Sequence, residues 1–380
     1  MFHHGVLGIA RSLGRLGVPV HRVGRERAAP AARSRFIAGW RVVPGSATDE
    51  DALGLLRGLG EELGRPILIA ADDAACVFVE DHADELQQRF LLPRQPAGLV
   101  RALSSKRGMY QLCHENGIPT PQSFFPQSEA ELIELARAGT FPTVLKCINA
   151  ADAPATSPRV LIAKDIDELT AGYRQMETPG LGNVMLQEYV PGTPETVWMF
   201  NGYFDERSEC KVGFTGRKIR QSPPYTGATT LGVCLPNETV QEVTEGFMRS
   251  IGYRGILDIG YRFDERDGKY KLLDVNPRIG GTFRLFVGDN GIDVLRAMHL
   301  DLTGRDVPST ELPEGRRWIV EPLDVTSSIV YRRRGDIRLG EWLRSFHGVR
   351  EGAWWASDDP LPFLALWPRL AAERVRSPMR

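Results

Sequence analysis

The sequence predicts an α/β and α+β protein with a small parallel sheet in its N-terminal region, and three observations support this fold class. About the first 95 residues alternate between apolar strand patterns and helix patterns, which is typical of a small parallel sheet. Residues 254–278 contain two strand patterns joined by the turn signal Asp267-Gly268, which predicts an antiparallel hairpin. The chain has 380 residues, too many for one ordinary domain, so we expect two or three domains.

The N-terminal segment Gly5–Val23 predicts a glycine-rich turn, a helix that stops at Gly17, and a strand. This is the order of a βαβ unit without its first strand. Only four residues precede Gly5, so we expect that strand to be missing or very short, or the chain to start internally. The alternating pattern continues with a helix at about 49–63, a strand at Pro66–Ala71 and a helix at 74–90.

Two carboxylates, Asp72 and Asp73, follow directly after the predicted strand Pro66–Ala71. Side chains at the carboxyl end of a parallel strand often contact a ligand. An aspartate at this position can also cap the helix that follows, and capping is the interpretation that we favour.

Composition and charge exclude several classes of protein. The formal net charge is −1, which does not favour binding to nucleic acid or to an anionic membrane. No apolar run approaches the ~20 residues of a membrane span, and the first residues lack the apolar core of a signal peptide. The five cysteines form no CxxC pair, so we expect reduced thiols in a cytoplasmic protein rather than disulfides or a zinc site.

The second strand of the predicted hairpin carries a signal for metal binding. Side chains alternate along a regular strand, which predicts that Asp274 and Asn276 share one face with Tyr270 and Leu272. A carboxylate and a carboxamide on one face supply the oxygen ligands that Mg²⁺ takes together with phosphate oxygens. The alternative is an edge strand whose polar residues cap a turn.

The residues after this strand extend the signal. Pro277 cannot continue the hydrogen-bond ladder, so the strand ends there. Arg278 follows directly, where its guanidinium can bind an anion beside the metal.

Two lysines precede the hairpin at notable positions. Lys146 lies in the short apolar strand Phe141–Cys147. A charged residue in such a strand needs a partner, and a phosphate would serve. Lys106 begins a predicted helix that Ser104 and Ser105 cap, and on its own it is an ordinary surface lysine.

The segment 216–230, GRKIRQSPPYTGATT, predicts a long loop between two strands. It contains three cations, Arg217, Lys218 and Arg220. Cations in a mobile loop can close over phosphates or over an acidic substrate. The alternative is a solvated basic loop.

The remainder of the chain predicts further regular structure. We expect helices at about 238–250, 291–301 and 340–347, and a strand from Trp318 to Tyr331. The segment from Trp354 to Phe363 predicts an apolar tail that packs on the core.

Three motifs together resemble the ATP-grasp superfamily, in particular its carboxylate–amine ligase branch (D-aspartate ligase-like). The first is the strand–turn–strand that ends in DVNPR at 274–278. The second is SSK at 104–106 with GIPTP at 117–121, and the third is QEYVPG at 187–192 with Glu195. The resemblance extends from about residue 5 to about residue 290.

The resemblance implies an ATP-grasp fold with an N-terminal Rossmann-like pre-ATP-grasp domain at 1–100. The ATP-grasp domain is then expected at 101–310. It would divide into a small ATP subdomain at about 120–195 and a larger metal-site subdomain at about 196–310. Residues 311–380 would be a C-terminal extension packed on the core.

The resemblance also implies roles for individual residues. Lys106 and Lys146 would contact the nucleotide phosphates, and Glu195 would accept hydrogen bonds from the ribose hydroxyls. The adenine edge would meet, largely through backbone groups, the three residues Glu188, Tyr189 and Val190. The alternative for this stretch is a hairpin with its turn at Pro191-Gly192.

The resemblance also implies roles for residues at the metal-binding end of the hairpin, where this chain differs from the family at one position. Asp274 and Asn276 would hold Mg²⁺, and Arg278 with Lys146 would act in catalysis. The family usually has an acidic residue at the position of Gly260, and Asp258 is expected to take its place as a metal ligand. Members also have a glycine-rich flap over the phosphates, whereas residues 148–158 contain no glycine.

The implied function is an ATP-dependent ligase that joins a small carboxylic acid, such as an amino acid, to an amine. The acid would attack the γ-phosphate to give an acyl phosphate and ADP, and the amine would then displace phosphate. The cofactors would be ATP and Mg²⁺, with Mn²⁺ as an alternative metal, and the assembly could be a homodimer. Two alternatives stay open: an ATP-grasp kinase or carboxylase-like enzyme, and a non-catalytic nucleotide-binding homologue.

Overall fold

The computed structural model describes residues 4–25, 29–149, 152–154, 157–178 and 180–376. The strands of these residues form a two-stranded, a four-stranded and a seven-stranded sheet, with helices between and around them. Separate sheets combined with helices confirm the predicted α/β and α+β class.

The N-terminal region is built from helix α1 (His4–Gly14), strands β1 (Val20–Gly24) and β2 (Ile37–Val42), and helices α2 (Asp49–Glu62), α3 (Asp73–Asp81) and α4 (Ala83–Leu86). Strands β1 and β2 pair in parallel. The glycine-rich turn predicted at Gly5 is wrong, because Gly5 and Gly8 lie inside α1. The strand expected at Pro66–Ala71 is reduced to one parallel bridge between Ile67 and Leu91.

The glycine at position 8 serves close packing instead of a turn. A Cβ there would lie 2.8 Å from Cε1 of Phe283, so a larger residue would push the helix away from the core. Leu7 and Leu13 of the same helix are buried in that core. Amphipathic packing therefore explains why this glycine-containing segment is helical.

Helices α5 (Leu99–Ser104) and α6 (Lys106–Glu115) lead from the N-terminal region to the small sheet. Ser105 precedes α6 but its side chain makes no capping hydrogen bond, so the predicted serine cap is wrong. The backbone N–H of Lys106 instead donates to the carbonyl of Ile148 at 3.3 Å. Gly117 adopts φ +66° beyond the helix end, as a helix stop requires.

The four-stranded sheet contains β3 (Ser123–Phe124), β4 (Thr143–Cys147), β5 (Val160–Ala163) and β6 (Val184–Glu188) in the antiparallel order β3-β6-β4-β5. Helix α8 (Ile166–Met176) packs against it, and α7 (Glu129–Ala138) packs against α8. Leu132, Leu145 and Leu169 form part of the shared apolar cluster.

The seven-stranded sheet has the order β11-β10-β7-β8-β9-β12-β13. Its strands are β7 (Val197–Phe204), β8 (Cys210–Ser222), β9 (Ala228–Cys234), β10 (Gly255–Asp264), β11 (Lys269–Asn276), β12 (Arg317–Ile319) and β13 (Val349–Gly352). The hairpin predicted at 254–278 is confirmed as the antiparallel pair β10–β11, with Gly268 at φ +69° in its turn.

The two faces of the large sheet meet different partners. Leu257 of β10 belongs to an apolar cluster with Phe247 of α9 (Glu238–Ser250). Its neighbour Ile256 belongs to another cluster, with Leu7 of α1 and Leu295 of α10 (Val294–Leu302). Consecutive residues of a strand point to opposite faces, so the N-terminal region covers the face that carries Ile256.

The C-terminal residues differ from the prediction. The strand expected from Trp318 to Tyr331 ends at Ile319, and Glu321 begins helix α11 (Glu321–Arg334), with Pro322 in its first turn. Helices α12 (Leu339–Arg344) and α13 (Leu361–Arg376) follow. Strands β12 and β13 join the large sheet, so this part of the chain completes the sheet as well as packing on it.

Candidate active site

Four residues at one end of the β10–β11 hairpin form the centre of the candidate site. Asp258 pairs in register with Asn276, and Gly260 pairs with Asp274. Cross-strand partners point to the same face of a sheet, so the four positions form a rectangle on the face covered by the N-terminal region. Three corners carry oxygen donors and the fourth corner is bare. We call these four residues the hairpin end.

A bulge in β11 determines which residues reach this face. The pairing skips Leu273, since its neighbours Leu272 and Asp274 pair with consecutive residues of β10. Leu272 and Val275, three residues apart, consequently belong to the same apolar cluster on the other face. The prediction that Tyr270 and Leu272 share the face of Asp274 is wrong, because strict alternation requires a strand without a bulge.

Asp274 forms an ion pair with Lys106, the first residue of α6. Burial opposes ionisation of Asp274, but the charge and hydrogen bond of Lys106 and the charge of Lys146 hold its pKa below the usual value. Lys106 is therefore part of the site and not an ordinary surface lysine.

Asp258 is a half-buried carboxylate with no ion pair within 4 Å in the described part of the chain. Burial raises its pKa to about 6, although the charges of Arg278 and Lys218 oppose the rise. Its carboxylate packs against Gly280, where a Cβ would come within 2.2 Å of Oδ2. Oδ2 also lies 3.5 Å from Nδ2 of Asn276. A divalent cation at the hairpin end would stabilise this carboxylate in its charged form.

Arg278 connects the hairpin end to the N-terminal region. Its Nε donates to Oδ1 of Asp73 at 2.5 Å, and its Nη2 donates to Oδ1 of Asn276 at 3.1 Å. Asp72 instead caps α3 by accepting a hydrogen bond from the backbone N–H of Ala75 at 2.8 Å. Of the two roles considered for these aspartates, the cap belongs to Asp72, and Asp73 reaches the site.

Two further lysines lie near the hairpin end without a carboxylate partner within 4 Å among the described residues: Lys146 on β4 and Lys218 on β8. Burial and the charge of Lys106 together lower the pKa of Lys146 to about 8, although the charge of Asp274 opposes the shift. Burial also lowers the pKa of Lys218, against the attraction of Asp258 and Asp274. Bound phosphate would offset the cost of burying both ammonium groups.

The loop predicted at 216–230 is wrong for most of its length. Residues up to Ser222 belong to β8, which lies between β7 and β9 in the sheet, so their backbone groups are paired on both sides. Arg217 and Lys218 are consecutive residues of this strand, so their side chains point to opposite faces of the sheet. Arg217 pairs in register with Trp198, which packs on the cluster under α9, away from the hairpin end.

Arg220 is paired with a carboxylate of the protein itself. Its guanidinium forms two hydrogen bonds to the fully buried Asp324 of α11, at 2.8 and 2.9 Å. The same carboxylate accepts hydrogen bonds from Thr230 and Trp342. A buried, bidentate ion pair of this kind fixes α11 to the sheet. Lys218 is thus the one residue of the three predicted cations that faces the hairpin end.

The segment that follows β6 crosses from the small sheet to the large sheet. Strand β6 lies in the four-stranded sheet and β7 in the seven-stranded sheet, so the alternative of a hairpin turning at Pro191-Gly192 is wrong. The Glu188 side chain binds Arg266 at 2.5 Å and lies 3.6 Å from Lys271, both in the β10–β11 hairpin. Tyr189 and Val190 follow it in this linker.

Arg262 is a residue of this region that the sequence analysis missed. It is 9% exposed, and its Nη2 donates to the carbonyl of Gly192 at 2.9 Å while Nε donates to Oγ1 of Thr196 at 3.2 Å. Alternation along β10 places it on the face of Asp258 and Gly260, and that pattern could have identified it. Arg262 holds the linker over the hairpin.

Glu195 and the segment 148–158 are the remaining parts of the predicted nucleotide site. Glu195 is exposed in the short turn Pro194–Thr196 of the linker. The segment 148–158 corresponds to the phosphate flap of the family. Its residues 150, 151, 155 and 156 lie outside the described residues, so the structure does not test the expectation for this flap.

The donor set fits a hard divalent cation. Within the described ranges, no group of three or more His, Cys, Asp or Glu side chains could hold a metal ion by itself. The hairpin end offers two carboxylates and one amide, which suits Mg²⁺ because this ion keeps waters and phosphate oxygens as its remaining ligands. The surrounding cations, Lys106, Lys146, Lys218, Arg262 and Arg278, suit a polyphosphate.

Comparisons with known proteins agree with this geometry. No family model matches the chain. D-aspartate ligase of Enterococcus faecium (strain Aus0004) is 25% identical over 308 residues, which cover 77% of this chain and 72% of that protein.

Solved structures share the fold. The L-amino acid ligase of Bacillus licheniformis has a TM-score of 0.61 at 16% identity, covering 79% of this chain and 72% of that chain. The biotin carboxylase domain dimer of Hydrogenobacter thermophilus 2-oxoglutarate carboxylase, in complex with MgADP, ADP and bicarbonate, has a TM-score of 0.62 at 14% identity, covering 83% of this chain and 71% of that chain. The predicted ATP-grasp fold is thereby confirmed.

Proposed function

We infer that this chain, a homologue of D-aspartate ligase with the ATP-grasp fold, is an ATP-dependent carboxylate–amine ligase. The observation that carries the inference is the hairpin end together with Lys106, Lys146, Lys218 and Arg278. The ion pair of Lys106 with Asp274 supports the inference, as do the charges of Lys146, Lys218 and Arg278, which act on the carboxylates of the hairpin end. Such a set binds a nucleoside triphosphate and a cation, and it contributes charge without a nucleophile of its own.

The proposed reaction has two steps, and the positive charges of the site would assist the first. A carboxylate oxygen of the acid attacks the γ-phosphorus, the bond to the β-phosphate oxygen breaks, and ADP leaves. The nitrogen of an amine then attacks the acyl carbon, the acyl–phosphate bond breaks, and the amide and phosphate are released with the loss of a proton from nitrogen. Lys146 and Arg278 offset the negative charge that gathers around the transferred phosphoryl group.

The finer assignments are part of the same proposal. Asp274, Asn276 and Asp258 would hold Mg²⁺, or Mn²⁺ in its place, which shields the phosphate charge when bound. Adenine would lie against Glu188–Val190, and the ribose would meet Glu195. Arg262 supports this placement because it fixes the linker that carries both segments.

A cavity beside Arg278 is a candidate site for a small substrate. It has a volume of about 250 Å³ and lies between α3 and the start of β10. Its lining includes Ile69, Cys76, Ile256 and Arg278. Ligand pockets for drug-sized molecules measure about 300–1,000 Å³, so this cavity suits a smaller acid or amine.

Compartment and assembly also belong to the proposal. All five cysteines lie in the described part of the chain as free thiols, which fits the reducing cytoplasm. No helix among the described residues is long and apolar enough to cross a membrane. We include a homodimer in the proposal, for which the dimer of the biotin carboxylase domain is a precedent.

The experiment is a substrate screen of the purified protein with ATP and Mg²⁺. Amino acids and small carboxylates are tested for ADP release, first with hydroxylamine and then with a panel of amines. We expect a hydroxamate with one class of acid, because hydroxylamine traps an acyl phosphate, and an amide with the matching amine. ADP release without any amide or hydroxamate would support a kinase instead.

A further inference from the structure

The hairpin end has three donor corners and one bare corner. Asp258, Asn276 and Asp274 supply oxygen, while Gly260 supplies nothing. A Cβ built at Gly260 would meet no atom within 4 Å, so the bare corner opens onto free space next to Asp274. Packing therefore does not require glycine at this position.

A site for two divalent cations needs more ligands than these corners provide. Paired metal ions lie about 3.5–4 Å apart and each requires its own ligands. The three donors stand at three corners of one rectangle on the hairpin, and the fourth corner carries no side chain. The residues described by the structure contain no third carboxylate, histidine or cysteine that would complete a metal cluster there.

We propose that the site binds a single divalent cation with the nucleotide, and that Lys218 supplies the positive charge that a second cation would bring. This inference rests on the proposed function. Because Gly260 supplies no ligand, it limits the site to one bound cation.

The placement of Lys218 supports this role. In β8, Gly216 stands in the same cross-strand row as Met199 and Gly260, and Lys218 lies two residues further on the same face. Lys106 is engaged by Asp274, whereas the Nζ of Lys218 donates to the carbonyl of Gly227 at 3.4 Å, a neutral partner. Its charge therefore stays available to the phosphates.

The test counts bound Mn²⁺ per protein chain in the presence of a non-hydrolysable ATP analogue. Free Mn²⁺ is measured by electron paramagnetic resonance. The variant Gly260→Asp adds a carboxylate at the bare corner, and Gly246→Asp is its control. Gly246 lies exposed in α9, also with nothing within 4 Å of a Cβ, and outside the site.

We expect one Mn²⁺ in the unmodified protein, one in Gly246→Asp and two in Gly260→Asp. Two ions in the unmodified protein, or an unchanged count in Gly260→Asp, would overturn the inference. Failure of the ATP analogue to bind to the unmodified protein would contradict the proposed function itself. Normal nucleotide binding with two ions would reject only the single-cation assignment.

A second variant tests the part assigned to Lys218. Lys218→Met should weaken binding of the ATP analogue about 10-fold, as expected for the loss of one charge-assisted hydrogen bond. Adding Gly260→Asp to Lys218→Met should restore affinity at millimolar Mn²⁺, because a second ion then replaces the lost ammonium. A double variant as weak as Lys218→Met at every Mn²⁺ concentration would show that Lys218 does not substitute for a cation.

Discussion

Arg278, which follows β11, donates from Nε to Oδ1 of Asp73, the first residue of α3. The two residues are 205 positions apart in sequence. The guanidinium also binds Oδ1 of Asn276, so it is held from the N-terminal region and from the hairpin at once. Through this pair, the N-terminal region orients the arginine proposed to act on the phosphoryl group.

The first prediction concerns Asp73 as a positioning residue. Asp73→Asn should lower kcat about 10-fold with little change in the free energy of unfolding, because it loosens Arg278 without removing a cap. Asp73→Glu should recover part of kcat, since the carboxylate is kept. Steady-state ADP release and thermal unfolding measure the two quantities.

The neighbouring residue provides a matched control. Asp72→Ala removes the cap of α3 and should cost about 1 kcal/mol of stability, while kcat stays near that of the unmodified protein. If Asp72→Ala lowers kcat as much as Asp73→Asn does, the effect comes from α3 as a whole and not from the contact with Arg278.

The second prediction concerns the donors of the hairpin end. Asp274→Asn and Asn276→Ala should each reduce turnover ~10²–10³-fold, as is usual for the loss of one preorganised electrostatic group. Asp258→Asn should raise the Mg²⁺ concentration needed for half-maximal ADP release. Circular dichroism should be unchanged in all three. Near-normal turnover at low Mg²⁺ would contradict the assignment of that residue as a ligand.

The third prediction is a pH dependence set by Lys146. Burial lowers its pKa from 10.5 to about 8, so the free protein loses this charge as pH rises through 8. Phosphate stabilises the protonated form, so affinity for an ATP analogue should fall above pH 8 and binding should take up protons there. Calorimetry in buffers with different ionisation enthalpies measures that uptake.

The free energy of unfolding should respond to the titration of Lys146 in the opposite direction to the affinity for the nucleotide. Between pH 8 and 10.5 the unfolded chain binds more protons at Lys146 than the folded protein does, so this residue makes the free energy of unfolding rise with pH in that window. Lys146→Arg keeps the charge at high pH and should bind the analogue with little dependence on pH between 7 and 10. A decline in affinity equal to that of the unmodified protein would show that another group titrates.

Sequence patterns predicted much of the site for reasons that are local. The turn Asp267-Gly268 and the strand end at Pro277 are properties of a few adjacent residues, and the β10–β11 hairpin formed as expected. Lys106 and Lys146 were found by motif resemblance, and the structure brings both close to Asp274.

Features that depend on tertiary pairing escaped prediction. The bulge at Leu273 depends on the partner strand, and no local signal marks it. The segment around Arg217 contains glycine, proline and three cations, which favours a loop, yet pairing with β7 and β9 makes it a strand. Asp324, the partner of Arg220, lies 104 residues away, so burial of that arginine could not be inferred locally.

The fourth prediction concerns the ribose. Glu195 is exposed in the linker that Arg262 anchors. Glu195→Ala should reduce the preference for ATP over 2′-deoxy-ATP, measured as the ratio of kcat/KM values, because the acceptor for the ribose hydroxyls is removed. The same preference in both proteins would reject this role for Glu195.

The central claim is that the acid is activated as an acyl phosphate, and isotope transfer tests it directly. The acid identified in the substrate screen is prepared with ¹⁸O in its carboxylate, and the phosphate released in the complete reaction is examined by mass spectrometry. The account predicts one ¹⁸O atom in each phosphate, because the attacking carboxylate oxygen leaves with the phosphoryl group. Phosphate without ¹⁸O, formed at the same rate as the amide, would contradict it.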